Sequence, residues 1–122
     1  MANDFKRFVK KDIGTGEGAS GSTVYTVPSS SSTAMESIVI GITIANKSTA
    51  GITCDVFLDA LGGASDDVYI VKDASIPAGS SLEVMSGNKL VVQNSGSAGD
   101  IIRVSSNTAT AIDATISVLE DV

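Results

Sequence analysis

Residues 75–105, SIPAGSSLEVMSGNKLVVQNSGSAGDIIRVS, set short apolar runs between clusters of Gly, Ser, Asn and Asp. Ser80 to Met85, Lys89 to Gln93 and Ile101 to Ser105 each have strand length, and each is bounded by turn residues. Runs of this kind belong to a β-sandwich or barrel, because no single run is long enough to make a helix with its own buried face. The stretch holds no His or Cys, and its Glu83, Lys89 and Asp100 form no catalytic motif.

The same grammar extends outward in both directions. Thr23 to Val27 is a strand closed by Pro28, and 29–33 (SSSST) is a polar loop. Glu36 to Asn46 alternates, with Ile38, Ile40, Ile42 and Ile44 on one side of a central strand. Lys47 to Gly51 reads as a turn that makes a hairpin with Ile52 to Asp59. There Ile52, Cys54, Val56 and Leu58 point inward, while Thr53, Asp55, Phe57 and Asp59 face water. Val68 to Asp73 follows the loop at 61–67. Ser80–Met85 and Lys89–Gln93 read as a pair around Ser86, Gly87 and Asn88. The last strand, Thr110 to Glu120, alternates Ile112, Ala114, Ile116 and Val118 with Asp113, Thr115 and Ser117. The expectation is an all-β fold: a single antiparallel β-sandwich of about eight strands, jelly-roll or Greek-key like. Strand spacing does not choose between those two.

Residues 1–13 differ from this body. They carry Lys6, Arg7, Lys10 and Lys11 against Asp4 and Asp12, whereas the rest carries four basic and twelve acidic residues. Phe5, Phe8, Val9 and Asp12 fit a helical spacing, and Phe5, Arg7, Val9, Lys11 and Ile13 fit strand alternation, so the period does not decide. The run from Gly14 to Ser22, GTGEGASGS, reads as a flexible link. The expected organisation is therefore an N-terminal basic and apolar arm with its link over 1–22, and a sandwich domain over 23–122. Phe5, Lys6, Arg7, Phe8, Val9, Lys10 and Lys11 are the candidate partner contacts. Aromatic and aliphatic side chains have no purpose on a purely electrostatic tail, and burial against a partner would offset the entropy of ordering them.

The composition limits the chemistry. The chain has no His and one Cys, which removes the usual general base, the Ser–His–Asp arrangement and a Cys-based metal site. Cys54 reads as a small buried hydrophobe. Gly14 to Gly18 lacks the strand–helix context of a phosphate loop. Asp55 with Asp59, and Asp66 with Asp67, read as solvated acids, the alternative for the latter pair being a loop Ca²⁺ site built on their oxygens. The acidic body, with a net charge of −6 for the chain, opposes nucleic-acid binding. Met1 to Ile13 lacks an apolar signal core, and no run reaches membrane-spanning length. The expectation is a non-enzymatic protein without a cofactor, made and folded in the cytoplasm, with no nucleic-acid or membrane partner.

TVYTVP at 23–28, IVIGITIANKS at 38–48, TCDVFL at 53–58, VYIVKDASIPAGSSLEV at 68–84, KLVVQNSGSAGDIIRVSS at 89–106 and ISVLE at 116–120 resemble small virion structural proteins of tailed bacteriophages. Marine and cyanobacterial phages give the nearest likeness, and the opening MANDFKRFV resembles their short N-terminal segment. The resemblance implies a β-sandwich that is present in many copies on a particle, as capsid decoration or cement. A neck, tail or fibre-attachment component is the alternative, as is a glycan- or Ca²⁺-binding host-attachment module. It also implies other virion proteins and copies of the chain itself as partners, a homo-oligomer on the particle, and the virion as its location.

Overall fold

A computed structural model describes residues 3–29, 33–60, 67–85 and 89–121. Among them the chain forms nine strands: β1 (Asn3–Lys10), β2 (Ser22–Thr26), β3 (Met35–Asn46), β4 (Ile52–Asp59), β5 (Val68–Ile76), β6 (Ser81–Glu83), β7 (Leu90–Asn94), β8 (Ile101–Ser106) and β9 (Ile112–Asp121). A single 3-10 turn, Gly18–Ser20, interrupts the β structure.

The strands make two antiparallel sheets packed face to face. One runs β1-β9-β3, with β6 and β7 in succession along the far side of β3; the other runs β2-β8-β4-β5. If β6 and β7 count as one interrupted strand, the first strand pairs with the last and the second with the next to last. β3 then pairs with β6/β7, and β4 with β5. That nesting is a long antiparallel ribbon rolled onto itself, the jelly roll.

The core is aliphatic. Val39, Ile42, Ile44, Val92, Ile112, Ala114, Ile116 and Val118 from one sheet meet Ile52, Cys54, Val56, Ile76, Ile102 and Val104 from the other, and all are buried. β-branched side chains suit this interior because their restricted χ1 costs little on a pleated surface. The expected alternation of the last strand and the burial of Cys54 both hold.

Several expectations need correction. The isoleucines of β3 do not share a face. The pairing of β3 with β9 slips between Val39 and Gly41, so Ile40 is an extra residue, a β-bulge. The bulge reverses the phase: Met35, Ser37 and Val39 point inward before it, Ile42 and Ile44 after it, and Ile38 and Ile40 face out. β3 and β4 are not a hairpin either, since they lie in opposite sheets and residues 47–51 cross between them. Nor do β6 and β7 pair with each other; each pairs with β3. The expected turn at 86–88 lies outside the described residues.

The extended N-terminal segment is present, but it lies in the sheet. β1 pairs with β9 along its whole length, from Asn3 opposite Asp121 to Lys10 opposite Ala114. Asp12 then turns the chain with a φ of 55°, a left-handed conformation that Asp tolerates better than most residues. Ile13 follows, fully buried and bonded through its backbone to Ile112 and Thr110. The glycine run is not a free tether. It crosses the outside of the second sheet, with Gly18 over the Phe57 ring and Gly21 against the Cβ of Arg103.

Candidate interaction surface

β1 alternates, and its two faces have different tasks. Phe8 is half-buried, and its ring lies 4.8 Å from that of Tyr25. Lys6, on the same side, reaches the Glu120 carboxylate, with Nζ 3.1 Å from Oε1. Phe5 and Val9 face the other way and are 78% and 64% exposed, with Arg7 between them. Lys10 and Lys11 are exposed at the far end, where they border an open depression of about 510 Å³ together with Val9 and Asp113. Of the seven candidate contacts, Phe8 and Lys6 are therefore committed to this chain's own sandwich. Phe5, Arg7, Val9, Lys10 and Lys11 stay accessible.

The sheet registers extend the exposed side of β1 into a surface. Phe5 stands opposite Leu119, Leu119 opposite Ile38, and Ile38 opposite Val91. These four residues form an apolar row across the outer face of the sheet. Its ends are the most open, since Val91 is 63% exposed. Ile40, pushed out by the bulge, adds to the row. Cross-strand neighbours on one face lie ~5 Å apart, so the row is contiguous rather than scattered. Contiguous apolar surface of this kind makes the row a candidate contact site.

Beneath the row lies a buried polar cluster. Tyr25 reaches from β2 across the sandwich and donates its hydroxyl to Glu120 Oε2 at 2.6 Å, and it shares a 2.8 Å hydrogen bond with Ser37. Glu120 is 1% exposed. Its Oε1 makes no well-directed hydrogen bond and relies on the charge of Lys6. Burial, and then the Glu120 carboxylate, push the Tyr25 phenol well above its usual range, so it remains a donor.

The acids of β4 also differ from expectation. Asp55 and Asp59 are buried rather than solvated, because the 14–22 segment covers their face of the sheet. Asp55 accepts from the Asp73 backbone N–H at 2.7 Å and from Ser105 at 3.3 Å, with Lys72 3.8 Å away. Asp59 takes the Arg103 Nε at 3.1 Å, and the same guanidinium bonds Gly21 O and Thr23 Oγ1. The Arg103 bonds fasten the covering segment, and those of Asp55 tie β4 to β5 and β8. A polar hollow of about 290 Å³ beside Asp55 is lined by Glu17, Asp73 and Asn107 among others. Among the described residues no group of three His, Cys, Asp or Glu side chains is placed to hold a metal ion. Asp67 accepts the Ala60 backbone N–H; Asp66 and most of the expected 61–67 loop lie outside the described residues. No helix among the described residues is long and apolar enough to cross a membrane.

No protein-family model matches the chain, and neither the curated proteins nor the solved structures give a significant match.

Proposed function

We propose that this chain is a non-enzymatic structural protein of a tailed-phage virion, and that it sits on the particle as a decoration or cement protein. The carrying observation is the apolar row Phe5–Leu119–Ile38–Val91, which crosses one sheet with Phe5 and Val91 exposed and no described strand packed over it. A protein that works by attachment needs such a face, whereas an enzyme needs a cleft with convergent reactive groups. The sequence resemblance to virion proteins supplies the context. The jelly roll is compatible with it, but lectins and cupins share that fold, so the architecture alone does not choose. A neck, tail or fibre-attachment role would use the same face in fewer copies.

The test is quantitative mass spectrometry of purified particles. A decoration protein is found at a high, fixed ratio to the major shell protein, and a neck or tail component at a low one. Particles assembled with a Phe5→Ser, Val91→Ser variant should lose it while the isolated variant keeps its melting temperature. Absence of the protein from particles, or full incorporation of the variant, refutes the proposal.

A further inference from the structure

The two sheets have four edges, and they are not equivalent. β2 carries an extra residue opposite β8, between Thr23 and Tyr25. β5 has two breaks in register against β4, and Asp73 within it has a φ of 53°. The β6/β7 edge is split into two short strands. Bulges and interruptions of this kind stop another strand from adding. β1 has none of them. Its eight residues keep an unbroken register with β9, and no described strand pairs with its other side. Every second N–H and C=O of β1 therefore faces outward in a regular row.

The charges of β1 decide what can use that row. Lys6, Arg7 and Lys10 outnumber Asp4, and Lys11 follows directly. Lysines on an edge repel a second copy of the same edge. Of the central antiparallel registers of β1 with itself that keep its faces in phase, those centred on Lys6 and Phe8 place like charges opposite, Lys6 on Lys6 or Lys6 on Lys10, while the one centred on Arg7 sets Arg7 on Arg7 between two Lys10–Asp4 pairs. An acidic strand meets no such penalty. It would also set apolar side chains beside Phe5 and Val9 and so lengthen the outer row.

We infer that β1 is an acceptor edge for an extended acidic segment of a different protein, which adds to the sheet as a further strand. This rests on the attachment role proposed above and specifies its partner: a strand that alternates acidic and apolar residues, held by main-chain hydrogen bonds and chosen by charge.

The experiment uses the whole chain and a short synthetic peptide that alternates Val and Glu. The controls are a peptide alternating Val and Lys, and a Val/Glu peptide with a central Pro. Binding is followed by NMR together with amide exchange of β1. The Val/Glu peptide is expected to bind, to slow exchange at alternate β1 amides, and to weaken as salt is raised. Both controls should fail. Arg7→Glu with Lys10→Glu should weaken binding on the order of tenfold, since reversal turns two exposed attractive pairs into repulsive ones. Equal binding of the Pro peptide, or binding without protection of β1, would mean adsorption by charge alone and would overturn the inference. So would the absence of any binding. Concentration-dependent protection of the same amides without peptide would assign the edge to a second copy and overturn it as well. If the peptide binds but the protein is missing from particles, the virion role fails while the acceptor edge stands.

Discussion

Tyr25→Phe tests the buried cluster with the smallest change available. The ring stays, and with it the contact to Phe8; only the hydroxyl is lost. That hydroxyl makes two buried bonds, one to the Glu120 carboxylate at 2.6 Å and one to Ser37 at 2.8 Å. A hydrogen bond to a charged group contributes ~1.5–3 kcal/mol. Its loss also leaves Glu120 with one fewer donor at 1% exposure, when its Oε1 already lacks a well-directed partner. Ser37, itself 1% exposed, loses its bond to the phenol too, for about 1 kcal/mol more. The expected destabilisation is ~2–4 kcal/mol, or roughly 8–16 °C in melting temperature for a domain of this size. The assay is urea denaturation followed by far-UV circular dichroism, with Glu120→Gln and the double variant alongside. Because Gln carries no charge to strand, the double variant should cost clearly less than the sum of the two single ones. A Tyr25→Phe loss below ~0.5 kcal/mol, or strict additivity, would refute the claim that the phenol holds a buried charge.

Burial, with the neighbouring Asp55 charge, pushes the Cys54 thiol up to about 11, so a thiol reagent at pH 8 should modify it only as fast as the protein unfolds; rapid labelling of the native state would contradict its placement. Where β1 leaves the sheet, Asp113 accepts the Asp12 backbone N–H, and Lys47 bridges Asp12 and Asp113. The Asp12 N–H, and then Lys47, hold the Asp113 carboxyl below its usual range, while Asp12 and Asp113 raise Lys47. A lowered carboxylate stabilises above its unfolded value and loses that effect as pH falls through the folded one; a raised lysine stabilises at lower pH and loses its effect in strong alkali. Protection of the Asp12 amide, corrected for intrinsic exchange, should therefore hold through neutral pH and fall in acid below the ordinary aspartate range; a flat profile would exclude the linkage. Gly99→Ala would drive a Cβ into the Val27 carbonyl oxygen, the acceptor of Asn94 Nδ2 at 2.8 Å. It should cost ~2 kcal/mol or more in urea melts, since both obstacles are fixed, and a neutral result would mean that the 94–100 turn can move aside.

The parts of this fold that were legible in the sequence are those set by neighbours in the chain. Alternation in β9 placed Ile112 to Val118 inward, and the same parity carried on to Glu120 points to its burial. Gly41, a lone glycine inside a strand, was the available sign of the bulge beside it. The hairpin expected of β3 and β4 failed because a five-residue connection between antiparallel strands looks alike whether they share a sheet or face each other across the core. The Asp55 and Asp59 reading failed because the cover over them comes from 14–22, where glycine content signals close approach as readily as flexibility. The exposed apolar row was beyond reach, since it joins Phe5 to Val91 through three separate registers that no local pattern encodes.

The place of β9 has a consequence for how the molecule is made. It lies between β1 and β3, so β1 has no neighbour in its sheet until β9 has left the ribosome. β1 must wait without its strand partner while residues 11–111 are added, and β3 with one flank open while residues 47–111 are. Closure then pairs segments from opposite ends of the chain, which places folding in the slow, millisecond-to-second range of non-local β topologies. A nascent chain halted before Ile112 would keep the second sheet's strands but could not complete the first. Until β9 is in place, the basic edge of β1 and the apolar core positions of the first sheet stay open, and its ten residues decide when that exposure ends.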